Sequence, residues 1–207
     1  MKKLKSDITN MVLSLTIITL VAATLLAVVN KITMSKISTL QQETLQTGIK
    51  NVMQDANCIV TKIDTLYDEK DSKKIHFIVY TTENAQHQSL GKAVASTENA
   101  FAGPLTVLVG FNQAGSIKGY TVLNTTETPG LGLKAEEWFR SKKGNVIGLN
   151  MDQVNFTVTK DGGDIDAITA STITSRAFLK AIQNAYQKTR EKKTDTNSGA
   201  SQKCSQK

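Results

Sequence analysis

Residues 166–178 read DAITASTITSRAF, in which Thr169, Ser171, Thr172, Thr174 and Ser175 crowd ahead of a run with helical spacing. Hydroxyls at such a place have two uses. One of them can cap the helix by accepting a hydrogen bond from an amide of its first turn. The same turn has unpartnered amides and the positive end of the helix dipole, so it also suits a phosphate. Thr172 falls at or near this first turn, with Ser171 beside it. Asp166 either ends the preceding segment or adds an acidic neighbour that the dipole favours. Capping needs a single hydroxyl, and the segment offers several on different sides.

The second segment with chemical character is TETPGLGLKAEEWF, residues 126–139. Thr128 precedes Pro129 and is pushed to an extended conformation. Pro129 fixes its own φ, and Gly130 supplies the positive φ that a type II turn requires. Gly132 lets a planar group or another backbone come close. A plain strand-to-helix turn would account for the proline and glycines, but Glu127 and Leu131 bracket the bend without being turn formers.

The other reactive side chains point nowhere in particular. Cys58 and Cys204 form no CxxC pair and have no histidine at ligand spacing, which excludes zinc and iron–sulfur sites and predicts no metal. Cys204 reads as a free thiol rather than a partner of Cys58. His76 and His87 are isolated and read as structural or exposed. The net charge is +7, yet aromatic residues make up only 5% and the basic residues form no stripe, so a nucleic-acid partner is not expected.

The elements that must position the two segments can be read from periodicity. From Ile8 to Val29 there is no charge and a run of Leu, Val, Ile and Ala long enough to cross a bilayer. A cleaved signal peptide is the alternative, with Ala22, Ala23 and Ala27 as small residues, but the run exceeds a signal peptide's apolar core. Lys2, Lys3 and Lys5 precede the span and Lys31 and Lys36 follow it, which places the N-terminus in the cytoplasm and the rest outside the cytoplasmic membrane. Residues 38–56, with Leu40, Leu45, Ile49 and Met53 spaced about four apart, predict a helix leading away from the membrane. Strands are predicted at 75–82, 105–112, 116–124 and 155–160, the second and third joined as a hairpin over Gln113, Ala114 and Gly115. Helices are predicted at 134–141 and 173–192, the latter amphipathic through Phe178, Leu179, Ile182, Ala185 and Tyr186. The fold class is therefore α+β, a single transmembrane helix followed by a largely antiparallel sheet flanked by helices. The expected organisation is a cytoplasmic start (1–7), a span (8–30), a helical stalk (31–60), one domain (61–192) and a disordered polar tail (193–207).

DAITASTITS resembles the flavinylation motif of the FMN-binding domain family, and ETPGLG resembles that family's second signature. With GFNQAGSIKGYTVLN ahead of them and one N-terminal anchor, most of residues 1–190 is similar to the G subunits of Rnf-type electron transport complexes. The resemblance implies FMN joined to Thr172 through a phosphoester, with Asp166 and Thr169 matching the motif's other fixed positions. Glu127, Thr128, Pro129, Gly130, Leu131 and Gly132 match the loop that lies along the isoalloxazine ring. It implies a subunit that carries electrons between ferredoxin and NAD with coupled ion movement, no acid, base or nucleophile of its own, other membrane subunits as partners, and maturation by a magnesium-dependent flavin transferase. Two other readings stay open: the C subunit of a sodium-translocating NADH:quinone reductase, and a membrane-anchored sensory or binding domain without covalent flavin. The chain departs from the family's Gly-Ala before the acceptor, having Ala170 and Ser171, and this leaves Ser171 as a rival acceptor.

Overall fold

The computed structural model describes residues 8–67, 76–141 and 144–190. The chain divides into two units, residues 1–47 and 48–207. The first described element is helix α1, Ile8–Met53, with 46 residues. It is long and apolar enough to cross a membrane, and the apolar stretch has none of its side chains buried. The hydroxyls within that stretch bond back onto the helix: Ser14 to the Met11 carbonyl, Thr16 to Val12, Thr19 to Thr16 and Thr24 to Leu20. No water is needed to satisfy them, as a hydrocarbon surrounding requires.

In the second unit α1 ends where Gln54 turns left-handed at φ 54°, and the chain enters a five-stranded sheet. Its strands are β1 (Ile59–Tyr67), β2 (His76–Glu83), β3 (Ser89–Asn99), β4 (Pro104–Phe111) and β5 (Ile117–Thr125). They lie side by side in chain order, and every pair is antiparallel. After β5 come a short 3-10 turn (Gly132–Lys134), helix α2 (Ala135–Trp138), a second 3-10 turn (Thr159–Asp161) and helix α3 (Thr172–Arg190).

Strand β4 shows why the sheet needs cover on both sides. Leu105, Val107, Val109 and Phe111 belong to the main core with Phe178, Leu179, Ala181, Ile182 and Ala185 of α3. The alternate residues meet the last turn of α1. Leu108 touches Gly48, and a Cβ at Gly110 would stand 2.6 Å from the Val52 carbonyl oxygen. A strand covered on both faces is apolar along most of its length, and β4 is, except at Thr106, whose hydroxyl pairs with that of Thr97 at 2.9 Å.

Aromatic packing fixes α2 against α3. The Phe139 and Phe178 rings stack with centroids 4.3 Å apart, and Tyr120 meets Phe178 edge-on at 5.0 Å. The Tyr120 hydroxyl donates to the carbonyls of Ala135 and Glu136 at 3.2 and 3.0 Å, and burial pushes its phenol up. Strand β5 thereby holds both ends of the TETPGLG segment.

The structure departs from the sequence reading in several places. Residues 155–160 do not form a strand. Phe156 and Val158 are buried as the alternation suggests, but the segment folds back on itself: the Thr157 amide bonds the Asn155 carbonyl and the Gly163 amide bonds Val158. A single bridge between Val158 and Ile165 is all the pairing it makes. The helix expected at 134–141 shrinks to the four residues of α2, followed by isolated turns. Strands β1 and β3 are additional; β3 is rich in Gly, Ala and Ser, weak strand formers that succeed here because both neighbours pair with it. The ends of the predicted strand at Ile75 and of the last helix at 191–192, the tail and Cys204 lie outside the described residues. Cys58 is buried, and burial raises its thiol pKa, which makes it inert. His76 opens β2, and His87 sits exposed in the β2–β3 turn, 3.6 Å from Glu83.

Candidate functional site

The two segments singled out in the sequence come together, and the group that joins them is Glu127. Its side chain is only 6% exposed. Oε2 accepts a hydrogen bond from the Thr174 hydroxyl at 2.9 Å, and Oε1 accepts from the Ala102 amide at 2.8 Å. One carboxylate thus ties the turn before β4, the TETPGLG loop and the first turn of α3. Because Thr174 lies in that first turn, the dipole of α3 favours the negative charge.

The remaining hydroxyls form a chain behind it. Ser171 donates to Thr174 at 3.0 Å. The Ser175 hydroxyl donates to the Ser171 carbonyl at 2.9 Å and accepts from the Ile168 amide at 2.9 Å. Ser171, Thr174 and Ser175 are all buried. This network bends residues 168–171 into a tight turn, closed by the Ser171 amide on the Ile168 carbonyl at 3.0 Å, with Ala170 forced to φ 60°. Capping by Ser171 is not what the structure uses. Among the described residues no side chain accepts from the amides of Thr172, Ile173 or Thr174, and the Ser171 hydroxyl turns to Thr174 instead.

Thr172 differs from its neighbours. It is partly exposed, and its Oγ1 accepts from the Lys160 ammonium at 3.3 Å. Lys160 comes from the misread segment 155–160. Its neighbour Asp161 is clamped to α3 by Arg176, with Nε to Oδ2 and Nη2 to Oδ1 both 2.7 Å. The hydrogen bond from Arg176 holds the Asp161 carboxyl below its ordinary range and raises the guanidinium in turn. Sequence spacing gave no hint of Lys160, since the contact depends on the fold-back that the GG dipeptide makes.

The other predicted positions are arranged around this core. Thr128, Pro129, Gly130 and Leu131 form an exposed turn, closed by the Leu131 amide on the Thr128 carbonyl at 3.2 Å. Gly130 has the expected positive φ, 80°, and nothing lies within 4 Å of where its Cβ would be. Gly132 is different from the expectation. It is buried against Glu127, and a Cβ there would be 2.3 Å from Oε2, so its lack of a side chain makes room for a carboxylate rather than for a planar group. The Asp166 carbonyl accepts from the Trp138 indole at 2.9 Å, and its carboxylate makes no hydrogen bond or ion pair among the described residues. Thr169 is exposed. Among the described residues no set of His, Cys, Asp and Glu is placed to hold a metal. Leu131 and Leu133 in and after the turn, and Ile173 next to Thr172, stand 43%, 47% and 51% exposed.

The FMN-binding domain family matches residues 101–187, which take in both segments and Lys160. The G subunit of an ion-translocating oxidoreductase complex from Shewanella baltica (strain OS223) is 32% identical over 187 residues, covering 83% of this chain and 84% of that protein. The protein of the same name from Shewanella oneidensis is 33% identical, covering 84% and 85%, and that from Aliivibrio fischeri (strain ATCC 700601 / ES114) is 30% identical, covering 89% and 92%. The chain therefore belongs to the family of ion-translocating oxidoreductase complex G subunits and carries that family's FMN-binding domain.

Proposed function

We propose that this chain is a membrane-anchored electron-carrier subunit of an Rnf-type complex, holding FMN through a phosphoester to Thr172. The observation that carries the reading is the contrast among the hydroxyls. Ser171, Thr174 and Ser175 are buried and committed to one another or to Glu127, whereas Thr172 is partly exposed, at the head of α3, beside a cation.

The residues present fit the group. An accessible hydroxyl, an ammonium and free first-turn amides suit a phosphate; the open turn at Gly130 and the exposed apolar side chains of Leu131, Leu133 and Ile173 suit a planar ring. Bound FMN would supply one- and two-electron transfer. The chain's own part is to tether and orient. Thr172 fixes the phosphate end, which leaves the ring free of covalent restraint, and Glu127 keeps the turn and α3 in fixed register.

Helix α1 anchors the domain in the cytoplasmic membrane. Lys2, Lys3 and Lys5 before the span, against Lys31 and Lys36 after it, put the FMN-binding domain on the extracytoplasmic side. There it works with the other membrane subunits of a complex that couples electron transfer between ferredoxin and NAD to ion translocation, after a separate flavin transferase has loaded it. Co-expression with such a transferase, followed by a denaturing gel, tests the reading. The wild type and Ser171→Ala are expected to fluoresce and Thr172→Ala to be dark; a dark wild type sinks the covalent reading, and a fluorescent Thr172→Ala moves the acceptor elsewhere.

A further inference from the structure

Resting on the covalent reading above, we infer that Lys160 is the cation that positions the phosphate at Thr172, both during loading and in the finished linkage. Its ammonium donates to Thr172 Oγ1 at 3.3 Å. That oxygen is the one that becomes the bridging oxygen of the phosphoester, so the phosphoryl oxygens attached through it fall within the ammonium's reach.

Lys160 is held in place without a direct ion pair among the described residues, the Asp161 charge beside it acting only through space. The turn that carries it, Thr159–Asp161, is fixed at one end by the Thr159 amide on the Ile165 carbonyl at 2.9 Å. Its other end is held by the fork between Asp161 and Arg176, one helical turn beyond Thr172. Both Asp161 oxygens are taken by Arg176. No carboxylate lies at ion-pair distance from Lys160 among the described residues, and its hydrogen-bond partner is a neutral hydroxyl. An exposed ammonium held on a neutral oxygen beside free helix amides suits an anion.

Loading transfers the FMN phosphoryl group from FAD. The Thr172 Oγ–P bond forms, the P–O bond of the anhydride breaks, AMP leaves, and the hydroxyl proton passes to solvent. The product is a phosphodiester with one negative charge, which Lys160 neutralises. Lys160 is a positioning residue and donates no proton in this step.

The test uses the full chain in detergent with purified flavin transferase, FAD and magnesium, and reads the initial rate of adduct formation by intact mass. Lys160→Gln is expected to load roughly two- to fivefold more slowly, the range of one ion pair at an exposed site, and Lys160→Glu more slowly still. Lys160→Arg restores most of the rate, and Lys118→Gln, which removes an equal charge from β5, leaves it unchanged. Thermal unfolding of the unloaded variants shows that each is folded. A Lys160→Gln rate equal to wild type, or a Lys160→Arg rate no better than Lys160→Gln, overturns the inference. An unloaded wild type in the same assay instead defeats the covalent reading itself.

Discussion

Thr174 and Glu127 are 47 residues apart in the chain and 2.9 Å apart in space, and the hydrogen bond between them joins the two segments on which the site depends. The carboxylate also takes the Ala102 amide, so Glu127→Ala leaves a buried hydroxyl and a backbone amide unsatisfied at once. A destabilisation of about 2–4 kcal/mol is expected. Glu127→Gln keeps an acceptor for Ala102 and a partner for Thr174, and should lose about half as much. Thermal unfolding of the detergent-solubilised chain measures both; equal losses would mean that shape, not hydrogen bonding, is what Glu127 contributes.

The two glycines of the TETPGLG loop are not equivalent. At Gly130 an added Cβ meets open space, so Gly130→Ala costs only the left-handed conformation, about 1–2 kcal/mol. At Gly132 the added Cβ would overlap the Glu127 side chain at 2.3–2.8 Å, and the carboxylate has to leave both of its partners. Gly132→Ala is therefore expected to lose at least as much as Glu127→Ala in thermal unfolding, and the double variant to lose less than the two together, since only the Cβ of residue 127, at 2.8 Å, is then left to meet the added methyl. Fully additive losses would count against the shared cause.

Much of this was legible in the sequence, and what was not shares a cause. The apolar run of α1, the β4–β5 hairpin and the amphipathic face of α3 are periodic signals that burial enforces directly. The turn at Gly130 follows from Pro129 and the need for positive φ. Lys160 and the true role of Gly132 were hidden because each is defined by a partner distant in sequence: Thr172 across a fold-back, and Glu127 across a tight loop. The misreading of 155–160 has the same origin. Alternating burial of Phe156 and Val158 mimics a strand, while the hydrogen bonds that decide the matter come from Gly163 and Asp164.

Asp161 offers a check on how the turn bearing Lys160 is held. The Arg176 hydrogen bond lowers the Asp161 pKa in the folded chain. Its contribution to stability is present above the unfolded value, about 3.9, and is lost as pH falls through the lower folded value. The Asp161 carboxyl, followed by its side-chain carbon resonance, is expected to titrate below the ordinary carboxylate range and to return to it in Arg176→Gln. The ion pair is exposed, so the same substitution should leave the unfolding midpoint at neutral pH nearly unchanged. An Asp161 midpoint unmoved by Arg176→Gln would remove the clamp from the account of Lys160.

Ala170 stands at φ 60° immediately ahead of the buried Ser171. The bonds from Ile168 to Ser175 and from Ser175 to Ser171 close a turn that takes a left-handed residue at 170, the position where the flavinylation motif that this segment resembles has glycine. Alanine tolerates that conformation at a cost of about 1–2 kcal/mol, against which glycine loses more chain entropy on folding, about 0.5–1 kcal/mol. Ala170→Gly is thus expected to raise stability by up to about 1 kcal/mol. The turn is set by the hydroxyl network and not by the side chain at 170, so Thr172 keeps its place beside Lys160 and the extent of flavin loading is expected to match wild type. Thermal unfolding and intact mass read the two effects separately. A destabilised Ala170→Gly would show that the strain at this position is already relieved by the network around it.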